Sequence, residues 1–313
     1  MIKVFVDGQE GTTGLQIRER LLHHPEVKLL EIEPALRKDA QARKTLFAAS
    51  DVAFLCLPDA AAREAVALSA GTQTRLIDAS TAHRTDPTWV YGLPELNVAQ
   101  RDAIAGASYV ANPGCHATGF LLLVSPLIAA GLLPAATLLS CQSLTGYSGG
   151  GKGLIARYEQ ASNEAKAQLL GPSHYGLTLG HKHLPEMQHF SGLQHPPVFT
   201  PVVGPFYQGM VVTVPLHVEQ FGGASIAAVH AALSAHYEHA PMVQVQPYNA
   251  LPEGGFFDPQ AANGTNDNHI FVYGDGQHVV LLSRLDNLGK GASGAAVQNM
   301  NIMLGLPDGL SLA

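Results

Sequence analysis

The first fourteen residues narrow the fold more than any other part of the chain. Ile2 to Val6 is a β-branched and aromatic run of the kind that forms a strand buried in a parallel sheet, and it stops at Asp7-Gly8. Glycine then recurs at every third position, Gly8, Gly11 and Gly14. The segment that follows, to Leu22, carries Leu15, Ile17, Leu21 and Leu22 at helical spacing. A strand feeding a glycine turn feeding a helix is the opening unit of a doubly wound sheet. The alternation continues, with strands expected at Lys28–Ile32, Val52–Leu57 and Arg75–Asp78, and helices at Ala40–Ala49 and Ala60–Ala70.

Past about residue 135 the rhythm changes. Thr137–Thr145, Val211–Val218 and Gln277–Leu285 read as strands separated by long spacers, Leu154–Leu170 reads as one helix, and Gly291–Leu304 as a well-packed final helix. The expected class is therefore α/β: a Rossmann-type doubly wound parallel sheet domain plus an α+β catalytic and dimerisation domain with a mixed sheet. The first is assigned residues 1–115 with 291–313, and the second residues 116–290.

Composition excludes several function classes. Only 14% of the 313 residues are charged, against roughly 25% in typical globular chains, so much of the chain must be buried. The formal charge is −7 and there is no Lys/Arg run, which argues against a nucleic-acid partner. The apolar stretch Gly119–Leu139 is interrupted by Pro126, Gly131 and Pro134, so it reads as a buried helix, loop and strand rather than a membrane span. Three cysteines, an odd number without a secretory leader, point to free thiols and a cytoplasmic protein. A sheet-bearing second domain with so few charges suggests a homodimer or homotetramer.

The glycine turn carries the first chemical expectation. Gly8, Gly11, Thr12, Thr13 and Gly14 would let backbone N–H groups approach a pyrophosphate at a helix N-terminus, so the turn is read as a dinucleotide site. Glu31 and Glu33 would suit an unmodified ribose, whereas Arg37 and Lys38 would suit a 2′-phosphate, which leans the reading to NADP(H).

Cys115 carries the second. It follows Pro113-Gly114 at the start of the apolar run, where a helix N-terminus stabilises a thiolate, whereas Cys56 and Cys141 lie inside strand-like runs and read as inert. A thiolate beside a nicotinamide implies attack on an activated acyl group, a thioester, and reduction to an aldehyde. The block His181-Lys182-His183-Leu184-Pro185-Glu186 offers a histidine for proton transfer, with Glu186 as its orienter or as a substrate contact. A metal reading of His-x-His finds no matching Cys or Asp pair, and no metal is expected. His23, His24, His236 and His239 are expected at the surface.

Asn112-Pro113-Gly114-Cys115, the His181–Glu186 block, Asp286–Gly294 and the continuation Ala296-Val297-Gln298-Asn299-Met300-Asn301 together resemble the N-acetyl-gamma-glutamyl-phosphate reductases, in the compact type 2 branch, over nearly the whole chain. The wider superfamily includes aspartate-semialdehyde dehydrogenase. The resemblance implies NADPH-dependent reduction of N-acetyl-L-glutamyl 5-phosphate to the 5-semialdehyde, a step of arginine biosynthesis, with Cys115 as nucleophile and His183, ahead of His181, as acid/base. It also implies a cofactor loop at Asp78–Arg84 containing Ser80, although an aromatic is usual where His83 stands. By the same likeness Asn287 and Gly291 would meet the nicotinamide. Arg84 and Asn112 are reasonable clamps for the small-molecule acyl phosphate. The loop Gly146–Gly153 imitates a hydrolase elbow and a P-loop, but the P-loop's final Ser/Thr is Gly153 here. The resemblance makes it a substrate-side loop with Ser148 and Lys152 as contacts. An aspartate-semialdehyde dehydrogenase-type reductase, a reductase of carrier-linked acyl phosphates and a non-enzymatic NADP-binding sensor are the competing readings.

Overall fold

A computed structural model describes residues 1–312, which divide into two compact units. The first unit comprises Met1–Pro94, Val98–Pro113 and the chain from Ala292 onward. It begins with β1 (Ile2–Asp7), α1 (Thr12–Leu22), β2 (Val27–Leu30), α2 (Ala40–Ala49), β3 (Val52–Leu55), α3 (Asp59–Ser69) and β4 (Arg75–Asp78). The short strand β5 (Val90–Tyr91), α4 (Gln100–Gly106) and β6 (Tyr109–Ala111) follow. The strands form one parallel sheet in the order β2-β1-β3-β4-β6-β5. The order reverses beside β1, and β1 ends in the glycine turn, which is where a doubly wound sheet binds its ligand. Phe5, Phe47, Leu55, Leu76 and Trp89 fill the core of this sheet, with Phe5 and Phe47 edge to face at 5.3 Å.

The second unit, Glu95–Asn97 with Gly114–Gly291, opens with α5 (Cys115–Ala129), β7 (Ser140–Gly146), α6 (Gly151–Glu159), α7 (Asn163–Gln168) and β8 (Ser173–His174). Next come α8 (Leu184–Ser191), β9 (Val198–Gly204), β10 (Met210–His217), α9 (Ile226–His236), β11 (Val243–Val245), β12 (Asn268–Gly274) and β13 (His278–Leu285). These strands make a mixed sheet, β11-β12-β13-β10-β7-β9-β8. The β12/β13, β13/β10, β10/β7 and β9/β8 pairs are antiparallel, while β7/β9 and β11/β12 are parallel. Helix α5 is buried along nearly its whole length and packs on β10, β13, α8 and α9. Among the described residues no helix is long and apolar enough to cross a membrane. The chain closes in the first unit with α10 (Gly294–Met303), every residue of which is buried.

Two expectations are corrected. The single helix expected at Leu154–Leu170 is two, because the chain leaves α6 at Gln160 and Ser162 restarts it by accepting a hydrogen bond from the Ala165 N–H. The final helix begins regularly only at Gly294, since Gly289–Ser293 forms a wider, π-type turn.

Candidate active site

The glycine turn is built for close approach. Gly8 has φ +89°, and a Cβ there would lie 2.3 Å from the Cys56 carbonyl oxygen, so only glycine fits. Gly11, the N-cap of α1, is different: a side chain there would meet only ordinary contacts, at 3.6 Å. The N–H groups of Thr12, Thr13 and Gly14 that follow it have no side-chain cap. That is the cradle a pyrophosphate requires. Beside it lies a cleft of about 270 Å³ whose walls include Gln9, Glu10, Arg18, Glu31 and Arg37. Arg18 pairs with Glu31, and Arg37 with Glu10. Lys38 is exposed and does not line the cleft. Sequence reasoning missed Arg18, since an arginine on an amphipathic helix reads as a solvated face. These residues fit a dinucleotide.

At the far end of β4, Asp78 organises the next loop. Its carboxylate accepts from the Ser80 N–H (2.9 Å) and Oγ–H (2.7 Å), and lies 2.6 Å from His83 Nδ1. The His83 ring stacks on Trp89 at 4.3 Å, so the imidazole supplies the flat face expected of an aromatic at this position. Arg84 is buried and donates from Nε to the Asn112 carbonyl at 3.0 Å. The Asn112 side chain is engaged elsewhere: Nδ2 donates to the Ala292 carbonyl at 3.0 Å, and Oδ1 accepts from Asn299 of α10 at 3.2 Å.

In the second unit, Cys115 is the first residue of α5, and Gly114 caps the helix without a side-chain acceptor. The Cys115 sulfur and one ring nitrogen each of His116 and His183 all lie within 4.8 Å of one another. Both nitrogens of His116 are engaged with hydroxyls, so the trio is poor as a metal site. Glu186, buried in the first turn of α8, accepts from the Gly114 N–H at 3.1 Å with Oε2 and presents Oε1 4.0 Å from His183 Nε2. One carboxylate thereby fixes the entry to the cysteine and faces the imidazole. His181 Nδ1 accepts from the His183 N–H at 3.2 Å, so this nitrogen of His181 orients its neighbour. Gly291 approaches from the π-type turn, where a Cβ would meet the Cys115 Cβ at 2.7 Å. Burial pushes the Cys56 and Cys141 thiols far above the ordinary range, as inert thiols require.

Behind β7, Asn287 donates from Nδ2 to Ser148 Oγ at 3.0 Å and accepts from the Gly209 N–H at 2.8 Å. Ser148 is buried, and Lys152 is exposed on the first turn of α6. His116, Tyr175 and Ser143, which also meet in this unit, were missed by sequence reasoning; the signal available was a histidine directly beside Cys115. Two expected surface histidines are otherwise placed: His24 is buried with Nε2 3.0 Å from Asn301 Oδ1, and His236 is half-buried with Nε2 3.2 Å from the Glu95 carbonyl.

Comparison with known proteins places the whole in a class. Residues 3–107 match the model of the semialdehyde dehydrogenase NAD-binding domain, and residues 115–287 match that of the semialdehyde dehydrogenase dimerisation domain. Aspartate semialdehyde dehydrogenase from Francisella tularensis superposes with a TM-score of 0.73 at 16% identity, covering 97% of this chain and all of that one. The enzyme from Candida albicans, solved with NADP, gives 0.68 at 16% identity over 97% and 98%. Fold and domain matches thus define a two-domain oxidoreductase of the semialdehyde dehydrogenase class, with a nicotinamide dinucleotide-binding domain. N-acetyl-gamma-glutamyl-phosphate reductase 2 from a Nostoc strain is 49% identical over 99% of both chains, and a reductase of the same name from Pseudomonas putida is 48% identical over 96% of both. The chain belongs to the N-acetyl-gamma-glutamyl-phosphate reductase family.

Proposed function

We propose that this chain is a cytoplasmic, homo-oligomeric reductase that converts N-acetyl-L-glutamyl 5-phosphate to N-acetyl-L-glutamate 5-semialdehyde with NADPH, releasing phosphate, in arginine biosynthesis. The observation that carries this reading is the identity of about half of all residues, end to end, with reductases of that name. The cofactor is assigned to the first unit and the substrate to the second; the sequence-based bounds, 1–115 with 291–313 and 116–290, differ from these units at Glu95–Asn97, Gly114, Cys115 and Gly291, which lie in the second unit.

Cys115 attacks the acyl carbon as a thiolate, favoured by the N-terminus of α5, and the C–O bond to phosphate breaks to leave a thioester. His183 gives a proton to the oxygen of the reduced adduct and takes it back as that oxygen re-forms the carbonyl and the carbon–sulfur bond breaks to return the Cys115 thiolate. Glu186 keeps the Gly114-Cys115 entry and the imidazole in register. Arg84, fixed by the Asn112 main chain, supplies positive charge for the phosphate, while the Asn112 side chain ties β6 to α10. Gly291 lets the closing turn lie against Cys115, and Asn287 holds Ser148 in the substrate-side loop, with Lys152 at its rim. The bound dinucleotide supplies the hydride at the thioester carbon. Gly8, Gly11, Thr12, Thr13 and Gly14 seat its pyrophosphate, Ser80 lies in the loop beyond β4, and Arg37 with Arg18 provides cations for a 2′-phosphate.

The test runs the reaction in reverse. Phosphate-dependent NADP reduction should be fast with N-acetylglutamate semialdehyde and slower by orders of magnitude with aspartate semialdehyde, which carries an ammonium in place of the acetamide. The opposite preference would overturn the substrate assignment.

A further inference from the structure

Asp286, the residue directly after β13, is fully buried, and its carboxylate gathers N–H donors from three parts of the second unit. Oδ1 accepts from the Leu288 N–H at 2.9 Å. Oδ2 accepts from the Gly264 N–H at 2.9 Å, in the connection between β11 and β12, and from Gln208 Nε2, in the connection between β9 and β10. A buried polar group is tolerated when its hydrogen bonds are made, and N–H donors on both oxygens call for a carboxylate, because an amide would turn its own NH2 group toward one of them. Two distant connections and the turn after β13 therefore converge on one side chain.

That convergence shapes the turn that follows. The Asp286 carbonyl accepts from the Gly291 N–H at 2.9 Å, which closes the segment 286–291 on itself. Gly289 is seated so closely that a Cβ there would lie 2.3 Å from the Thr265 carbonyl oxygen and 3.1 Å from the Asp286 Cβ. Asn287 grips the same connection as Asp286 does, accepting from the Gly209 N–H at 2.8 Å, and Lys290 is anchored to Glu95 at 2.7 Å. The segment is thus held at its start, middle and end. It brings Gly291 against Cys115, where a Cβ would lie 2.7 Å from the Cys115 Cβ and 3.4 Å from its Cα. The Cys115 side chain leaves the backbone along this wall. Misplacing a reacting atom by about 1 Å can cost about a hundredfold in rate, so the seat of the wall matters to the sulfur.

We propose that Asp286 is a positioning residue for Cys115, holding the segment 286–291 in the shape that sets Gly291 against it. The inference rests on Cys115 being the nucleophile. Asp286 takes no part in bond making; it acts through the Gly291 backbone.

The experiment is a double-mutant cycle between Asp286→Asn and Gly291→Ala. It reads kcat and KM in the phosphate-dependent assay, and the rate of Cys115 alkylation by iodoacetamide, followed by peptide mass. Asp286→Asn should lower kcat about tenfold with KM within about twofold, and speed alkylation about threefold as the wall beside Cys115 loosens. Because both residues act through one contact, the double variant should lose no more than about twofold in kcat beyond Gly291→Ala alone. Losses that multiply, or kcat and alkylation unchanged in Asp286→Asn, would overturn the proposal. Should Asp286→Asn fail to fold, Gln208→Leu, which removes one donor and keeps the carboxylate, takes its place in the cycle with a loss of about threefold expected. An unchanged kcat there, or losses that multiply, would overturn the proposal equally. Cys115→Ser, assayed alongside, reads the nucleophile assignment separately: retained turnover there would remove the parent reading, whereas alkylation of Cys115 would still report on Asp286.

Discussion

The helix start at Cys115 was legible because its signal is local: a Pro-Gly pair followed by an apolar run announces a helix N-terminus, which is where the proposed thiolate would be favoured. His116 stands one residue on and was not legible. Its setting depends on Ser143 and Tyr175, which only the folded chain brings to it. The same residue makes a stability prediction. Its ordinary pKa of 6.5 falls to about 3 in the folded protein. Below the ordinary value the unfolded chain takes up a proton that the folded chain refuses. Stability present above that pH is therefore lost as the pH falls toward the lower value, by about 1.4 kcal/mol per pH unit. Urea unfolding at stepped pH should show this slope, and His116→Gln should flatten it; an equal slope in both proteins would exclude His116 as its source. Arg18, also missed, supports a second prediction. Arg18→Ala should raise the KM for NADPH about tenfold and leave that for NADH nearly unchanged, and equal changes for both cofactors would remove Arg18 from 2′-phosphate recognition.

At the scale of elements, the first sheet followed from strand-helix alternation, because β1, β2 and β3 are each followed by a helix before the next strand. Of the second, mixed sheet the strands β7, β10 and β13 were expected, but others were not. The strand β9 contains Pro201, opposite Ser143 of β7, and β12 opens on Asn268-His269, so neither reads as a strand in isolation. Their pairing is set by partners far along the chain. The turn Gly289–Ser293 shows how an element can serve the site by shape alone. A methyl group at Gly291 would collide with Cys115, so Gly291→Ala should lower kcat at least tenfold in the steady-state assay. Unchanged turnover would mean that the turn has room to yield.

Over the whole molecule, the low charge fraction noted at the outset corresponds to two units, each with its own sheet and core. It also sharpens the meaning of the few charges that are buried. Lys290 is fully buried and donates to Glu95 at 2.7 Å, both within the second unit although Glu95 comes from a short excursion in the first half of the chain. Removing one partner strands the other charge, so Lys290→Met should destabilise the protein by about 3–5 kcal/mol in denaturant unfolding. A loss below about 1 kcal/mol would show that the pair is dispensable. Sequence alone pointed to Asn287 and Gly291 in this stretch but was silent on Lys290, since a lysine is ordinarily assigned to the surface.

In the proposed reaction the acyl group passes through Cys115. Incubating the enzyme with N-acetylglutamyl phosphate in the absence of NADPH should release phosphate in a burst, stoichiometric with active sites. An N-acetylglutamyl adduct should then be found by peptide mass on Cys115, and adding NADPH should remove it with formation of the semialdehyde. An adduct on another residue, or full turnover in Cys115→Ser, would contradict the account.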